Sequence, residues 1–184
     1  MKKLNPFLID KYIISALKED MNSGDITTDS ILKNENAQIN LIAKDKGIIA
    51  GLDVFERVFE IIDSNSYFEF NFSDGDEVNK SDLIGTIDAK ASAILKAERT
   101  ALNFLQRMSG IATYTKKMVH ALGSCHVKIL DTRKTTPNMR IFEKYAITLG
   151  GAYNHRYNLS DGIMIKDNHI DAAGGIRNAV DRVR

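Results

Sequence analysis

From about Ala89 to Leu122 the chain runs without a proline, and its alanines, leucines and methionines return at helical spacing. No other element suggested by the sequence is as long, so the rest must be arranged around this one. Ser109-Gly110 interrupts the pattern and leaves two open readings, one helix or two meeting there. Gly123 supplies a stop.

Upstream, the spacing of Leu8, Tyr12, Ile13 and Leu17 predicts an amphipathic helix over Pro6–Asp20, with Pro6 in its first turn. Ser23 to Ser30 reads as a polar loop, because its short oxygen-bearing side chains can bond their own backbone. Ala37–Ala43 alternates as a strand, and Ile48–Ala50 is a short apolar run. Asp53–Ile62 reads as a helix with Asp53 as its cap. Tyr67–Phe72 and Leu83–Ile87 read as strands on either side of an Asp74-Gly75 turn. This part is a mixed α+β layer.

Downstream the texture changes. Val127–Leu130 reads as a strand, Asn138–Leu149 as a helix ending at Gly150-Gly151, Gly162–Ile165 as a strand and Gly174–Val183 as a helix. Strand, helix, strand, helix is the rhythm of a parallel α/β unit. The expected class is therefore α/β, with an N-terminal α+β sandwich domain and its long connecting helix over residues 1–105. The first part of an incomplete α/β barrel follows over 106–184. A complete barrel needs roughly 250 residues, and this chain has 184 in all. The sequence thus predicts a C-terminally truncated chain, or one that another chain completes.

The formal net charge is +1, with no tryptophan, which argues against a nucleic-acid module. No apolar run reaches the roughly 18 residues of a membrane span. The stretch after Asn5 carries Asp10 and Lys11, where a signal peptide needs an unbroken apolar segment. Cys125 stands alone, so no internal disulfide forms. A soluble cytoplasmic protein is the expectation.

Charge is concentrated locally. Between His126 and His169 seven Lys or Arg face four Asp or Glu, an excess of three positive charges. In parallel α/β folds functional groups project from the carboxyl ends of strands. Thr132, Arg133 and Lys134 follow the first predicted strand and Lys166 ends the second. His155 and Arg156 lie on the loop leading into the second. An arginine fork matches a carboxylate or phosphate, and lysine adds a point charge. A dicarboxylate or phosphorylated small molecule is the simplest ligand. No metal signature, P-loop or dinucleotide fingerprint occurs.

Several motifs are more specific. Asp131-Thr132-Arg133-Lys134-Thr135-Thr136-Pro137, Gly150-Gly151-Ala152 with His155-Arg156-Tyr157-Asn158-Leu159-Ser160-Asp161, and Ile165-Lys166-Asp167-Asn168-His169-Ile170 resemble signatures of the quinolinate phosphoribosyltransferases. Gly24-Asp25-Ile26-Thr27-Thr28, Ala97-Glu98-Arg99-Thr100-Ala101-Leu102-Asn103 and Ser109-Gly110-Ile111-Ala112-Thr113 are similar to the family too, in order and register.

The resemblance implies a pentosyltransferase of NAD biosynthesis. Quinolinate and phosphoribosyl pyrophosphate would give nicotinate mononucleotide, pyrophosphate and carbon dioxide, with Mg2+. It implies a substrate site lined by Thr132, Arg133, Lys134, His155, Arg156 and Lys166, with Lys134, Lys166 and His155 in catalytic roles. It implies a homodimer or higher assembly in which Arg99 reaches the neighbouring subunit's site. The acidic groups that handle magnesium are expected beyond Arg184, so the chain alone is expected to be inactive. A molybdenum-transport-associated paralogue and a non-catalytic dimerisation fragment are the competing readings.

Overall fold

The computed structural model describes residues 3–124 and 126–184; Met1, Lys2 and the lone Cys125 lie outside them. Helix α1 (Pro6–Asp20) forms as expected: Asn5 caps it by accepting the Phe7 N–H at 3.0 Å, and Ile9, Ile13 and Leu17 are buried. The segment expected to be a polar loop instead holds a short helix, α2 (Ile26–Ile31). The Asp25 carboxylate accepts the Thr28 N–H at 3.0 Å and the Thr28 hydroxyl. The same small oxygen side chains that favour turns are the strongest N-caps, and here the cap wins.

A three-stranded antiparallel sheet follows, in the order β1 (Asn36–Ile42), β5 (Leu83–Lys90), β3 (Tyr67–Phe70). Ile39 and Phe68 both lie opposite Ile87, which is fully buried. Helix α3 (Leu52–Ile62) covers this face with Phe55 and Phe59, both edge-on to Phe68. A small ribbon pairs β2 (Gly47–Ile48) with β4 (Glu77–Val78).

Asp53 does not cap α3. The N-cap is Gly51, at φ 101°. The capping carboxylate comes from Asp74, which accepts Gly51 N–H at 2.9 and 3.0 Å and Leu52 N–H at 3.0 Å. Asp53 lies two positions past the cap, inside the first turn, and pairs with Lys3 at 2.7 Å.

Helix α4 (Ala91–Ala121) is one unbroken helix of 31 residues. Ser109 does not break it, because its hydroxyl turns outward to accept the Ala50 N–H at 3.0 Å. One turn on, the Thr113 hydroxyl accepts the Ile48 N–H at 2.8 Å. Both side chains bond the β2 region instead of competing with their own helix. At Gly110 an added Cβ would meet nothing within 4 Å.

Helix α5 (Arg140–Leu149) packs on α4 and places Phe142, Ala146 and Leu149 in the same core as α1 and α3. The Phe142 ring sits 4.9 Å from Phe104 and 5.9 Å from Tyr12. Gly150 is more than a helix stop. A Cβ there would lie 2.5 Å from Thr115 Cβ and 2.6 Å from the Ala112 carbonyl, so glycine is what lets α5 approach α4.

The two expected parallel strands are corrected. Among the described residues, Val127–Leu130 makes only one isolated parallel bridge, Leu130 to Tyr153, and Gly162–Ile165 is extended without a ladder. An apolar run sets an extended preference, but a strand also needs a neighbour to receive its N–H and C=O groups. Val127, Leu130, Tyr153 and Ile163 remain exposed, and no closed barrel is present among the described residues. The helix expected over Gly174–Val183 is present in shortened form as α7 (Ile176–Asp181), and a short helix that the sequence did not suggest, α6 (Asp167–Ala173), precedes it; Gly174 and Gly175, at φ 78° and 128°, separate the two. No described helix is long and apolar enough to cross a membrane.

Candidate active site

Two loops carry the basic motifs, residues 131–137 and 154–161, and a buried ion pair joins them. The Lys144 ammonium meets the Asp131 carboxylate at 2.6 Å, with side-chain exposures of 3% and 2%. Asp131 Oδ1 also accepts the His155 N–H at 2.7 Å, while Lys144 Nζ donates to the His155 carbonyl at 3.0 Å. The Asn154 amide, oriented with its nitrogen toward acceptors, donates to Asp131 Oδ2 at 2.6 Å and to the Lys144 carbonyl at 3.1 Å. Backbone bonds from Asp131 N–H to Tyr153 O and from Tyr153 N–H to Ile129 O continue the seam.

One turn before Lys144 on α5, Arg140 makes a second fastening. Its guanidinium donates to Thr135 Oγ1 at 3.1 Å, the Tyr157 carbonyl at 3.2 Å and the Arg133 carbonyl at 3.3 Å. Arg107 of α4 donates to Thr136 and Glu143, and the other Glu143 oxygen accepts the Thr136 N–H at 3.3 Å. Lys128 lies 4.8 Å from the centroid of the Tyr153 ring. Three of the seven local cations therefore hold the scaffold, leaving Arg133, Lys134, Arg156 and Lys166.

Those four, with Thr132 and His155, are the residues the sequence singled out. Thr132 Oγ1 accepts the Lys134 N–H at 3.0 Å, which folds the loop and leaves the Lys134 ammonium exposed. Arg133 and Arg156 are half-buried, and the Nε of each is buried without a hydrogen-bond partner. Arg156 Nη1 donates to the Gly162 carbonyl at 2.6 Å. His155 Nδ1 accepts the Arg156 N–H at 2.7 Å, which requires the neutral tautomer with its proton on Nε2. Lys166 caps α6 and is exposed; its N–H donates to His169 Nδ1 at 3.0 Å.

Thr132, Arg133, Lys134, His155 and Arg156 are thus brought onto two fastened loops, and Lys166 follows the segment that Arg156 grips. Arg99 is not brought in. It stands exposed on α4 with no hydrogen bond or ion pair to the described residues. Buried guanidinium N–H groups without acceptors are costly, so these loops are suited to an anion that supplies them. Among the described residues no group of three or more His, Cys, Asp or Glu is placed to hold a metal ion.

Sequence reasoning counted Arg140 and Lys144 only as charge and passed over Arg107, Glu143 and Asp131 as site-builders. The one local signal was the four-residue spacing of Arg140 and Lys144, which stacks both on one helix face.

Residues 25–109 match the family model of the quinolinate phosphoribosyl transferase N-terminal domain, and residues 111–184 match that of its C-terminal domain. The chain belongs to the quinolinate phosphoribosyltransferase family. Over 98% of its length it is 42% identical to a Bacillus subtilis protein described as a probable nicotinate-nucleotide pyrophosphorylase (carboxylating), and it spans 63% of that protein. It is 45% identical to the chloroplastic nicotinate-nucleotide pyrophosphorylase (carboxylating) of Arabidopsis thaliana, spanning 48% of it. Its fold superposes on the crystal structure of NadC from Streptococcus pyogenes with a TM-score of 0.95 at 48% identity, covering all of this chain and 66% of that one. A Francisella tularensis nicotinate-nucleotide pyrophosphorylase gives 0.92 at 36% identity. The chain is thus shorter than two thirds of each of these relatives, and the quinolinate phosphoribosyltransferase scaffold it carries is the part just described.

Proposed function

We propose that this protein binds quinolinate and phosphoribosyl pyrophosphate and acts in the carboxylating nicotinate-nucleotide pyrophosphorylase reaction. The observation that carries the reading is the pair of half-buried guanidiniums, Arg133 and Arg156, whose Nε groups lack acceptors on two loops fastened to each other. Quinolinate offers two adjacent carboxylates, which suit two such forks.

In the reaction the ring nitrogen bonds to the ribose C1 and pyrophosphate leaves with the C–O electron pair. The nitrogen becomes cationic. The adjacent carboxylate then departs as carbon dioxide, leaving its bonding pair on the ring carbon, where the cationic ring stabilises it until a proton arrives. The protein's part is placement and charge. Lys134 and Lys166 set positive charge near the departing groups, and His155 presents Nε2–H as a donor. Thr132, Arg133 and Arg156 hold the substrate.

Magnesium would accompany the pyrophosphate of the donor substrate. The described residues offer no acidic cluster for it, so no step is routed through it. Arg99, free on α4, would serve the site of a second copy, which makes a homodimer part of the proposal. A reducing cytoplasm suits the lone cysteine.

The test is a calorimetric titration of quinolinate, alone and with phosphoribosyl pyrophosphate and magnesium. Saturable binding below about 1 mM, roughly −4 kcal/mol, is expected. Arg133→Ala and Arg156→Ala should each abolish it. Absence of saturable binding by the unaltered chain sinks the reading. Release of labelled carbon dioxide from quinolinate separates turnover from binding alone.

A further inference from the structure

We infer that the buried Asp131–Lys144 pair is a positioning device for His155 and Arg156. This rests on the function proposed above for its ligand, but not for its geometry. A buried ion pair is a poor way to add stability, since desolvation offsets most of the Coulomb attraction and apolar residues of similar size do as well or better. This pair is at most 3% exposed. Its value lies in what the two charges hold. Asp131 grips the N–H of His155 and Lys144 grips the C=O of the same residue. The remaining Asp131 oxygen takes the side chain of Asn154, the preceding residue.

Other tethers of this loop, from Arg140 to the Tyr157 carbonyl and from Tyr157 N–H to Asp161, lie beyond His155 and do not touch its backbone. Asn154 and Tyr157 to Asp161 are all exposed, so no apolar burial fixes the loop's path. With both backbone groups of His155 clamped, the next peptide is directed so that Arg156 N–H meets His155 Nδ1 at 2.7 Å. That bond selects the tautomer and leaves Nε2–H as the donor. It also starts the Arg156 side chain toward the Gly162 carbonyl. The pair is neutral overall and adds no net charge to the anion site. Asp131 and Lys144 touch no substrate in this scheme; they act through His155 and Arg156.

Lys144→Met alone strands a buried carboxylate and lowers stability and binding together. The informative variant is Asp131→Asn with Lys144→Met. It removes both charges, keeps a side-chain acceptor for His155 N–H, and deletes the donor to His155 C=O. Its urea midpoint is expected to recover to near that of the unaltered chain while the quinolinate Kd stays about tenfold weaker, the equivalent of about 1.4 kcal/mol. Nitrogen-15 NMR of the imidazole should show a single Nε2–H tautomer in the unaltered chain and a mixture in the double variant. If affinity and tautomer both return with the midpoint, the pair is structural only and the inference falls.

Asn154→Ala is the companion, chosen because the side chain is exposed and the charges are untouched. A weaker Kd at unchanged midpoint supports positioning; an unchanged Kd and tautomer overturn it. Should the unaltered chain not bind quinolinate, the functional reading fails, and the NMR comparison still decides the geometry.

Discussion

The layer between Asn36 and Lys90 and the segment between Val127 and Lys166 are both made of short extended runs, yet different forces hold them. In the first, each strand has a hydrogen-bonded neighbour and a covered face: Ile87 is flanked by Ile39 and Phe68, under Phe55 and Phe59. In the second, Leu130 and Ile163 face outward, and the fastening is polar: the Asp131–Lys144 pair, the Arg140 fork and the Arg107–Glu143 contact. Apolar burial tolerates small shifts, whereas a hydrogen-bonded charge pair fixes atoms at defined separations. The layer therefore provides cohesion, and the loops trade cohesion for placement.

The largest test breaks both regions at once. Phe142 is fully buried between Tyr12 and Phe104 and joins α5 to the layer's core. Phe142→Ala should cost about 4 kcal/mol, read as a lower urea midpoint, with hydrogen exchange accelerating in both regions. Lys144→Met should divide them. A loss of about 3 kcal/mol is expected from the stranded Asp131 charge, with exchange accelerating at residues 131–137 and 153–157 while the β1, β3 and β5 amides stay protected. Uniform acceleration would refute the contrast.

Tyr145 tests the join. Its hydroxyl donates to Asp74 at 2.8 Å, the carboxylate that also caps α3. Tyr145→Phe should cost about 1 kcal/mol. Burial first, and then Asp74, push the phenol above its ordinary value of 10.0. The folded chain thus keeps this proton after the unfolded chain has lost it. The stability it contributes is whole below about pH 10 and drains away as pH rises toward the folded value. Tyr145→Phe should remove that alkaline slope from a series of melts.

The smallest effect is expected at the layer's edge. Arg57 bonds Asp10 at 2.7 and 2.9 Å and holds that carboxyl below its usual range, chiefly through the hydrogen bonds. Its contribution is present above the unfolded value and is lost as pH falls through the lower folded one. For so exposed a pair, Arg57→Met should cost less than about 1 kcal/mol, seen as a slightly shallower acid limb.

The same division governs how much could be read from sequence. α1, α3 and α4 show in helical spacing, because burying one helix face requires that period; in α1 the stripe read from Leu8, Tyr12, Ile13 and Leu17 is only partly right, since Leu8 is exposed and Ile9 is buried instead. β1 and β3 show in their alternation. Asp53 was read as the cap of α3 because it is local; Asp74 does the work from more than twenty residues away, which no local pattern reveals. Val127–Leu130 and Gly162–Ile165 have the apolar content of strands, but pairing depends on neighbours that composition does not name. At the site, Arg133 and Arg156 could be picked from motif and charge. That Lys144 is bound to Asp131, and so is no ligand donor, required knowing which charges are buried together.

Two glycines carry this contrast into genetics. At Gly150 even a single methyl group collides with Thr115 and the Ala112 backbone, so every missense change of that codon pushes α5 off α4. A saturation library should therefore retain only synonymous codons at 150. At Gly110, in the middle of α4, the same methyl group meets open space, and alanine there should raise stability by up to about 1 kcal/mol through helix propensity. Two residues identical in sequence would then mark opposite ends of the chain's mutational tolerance.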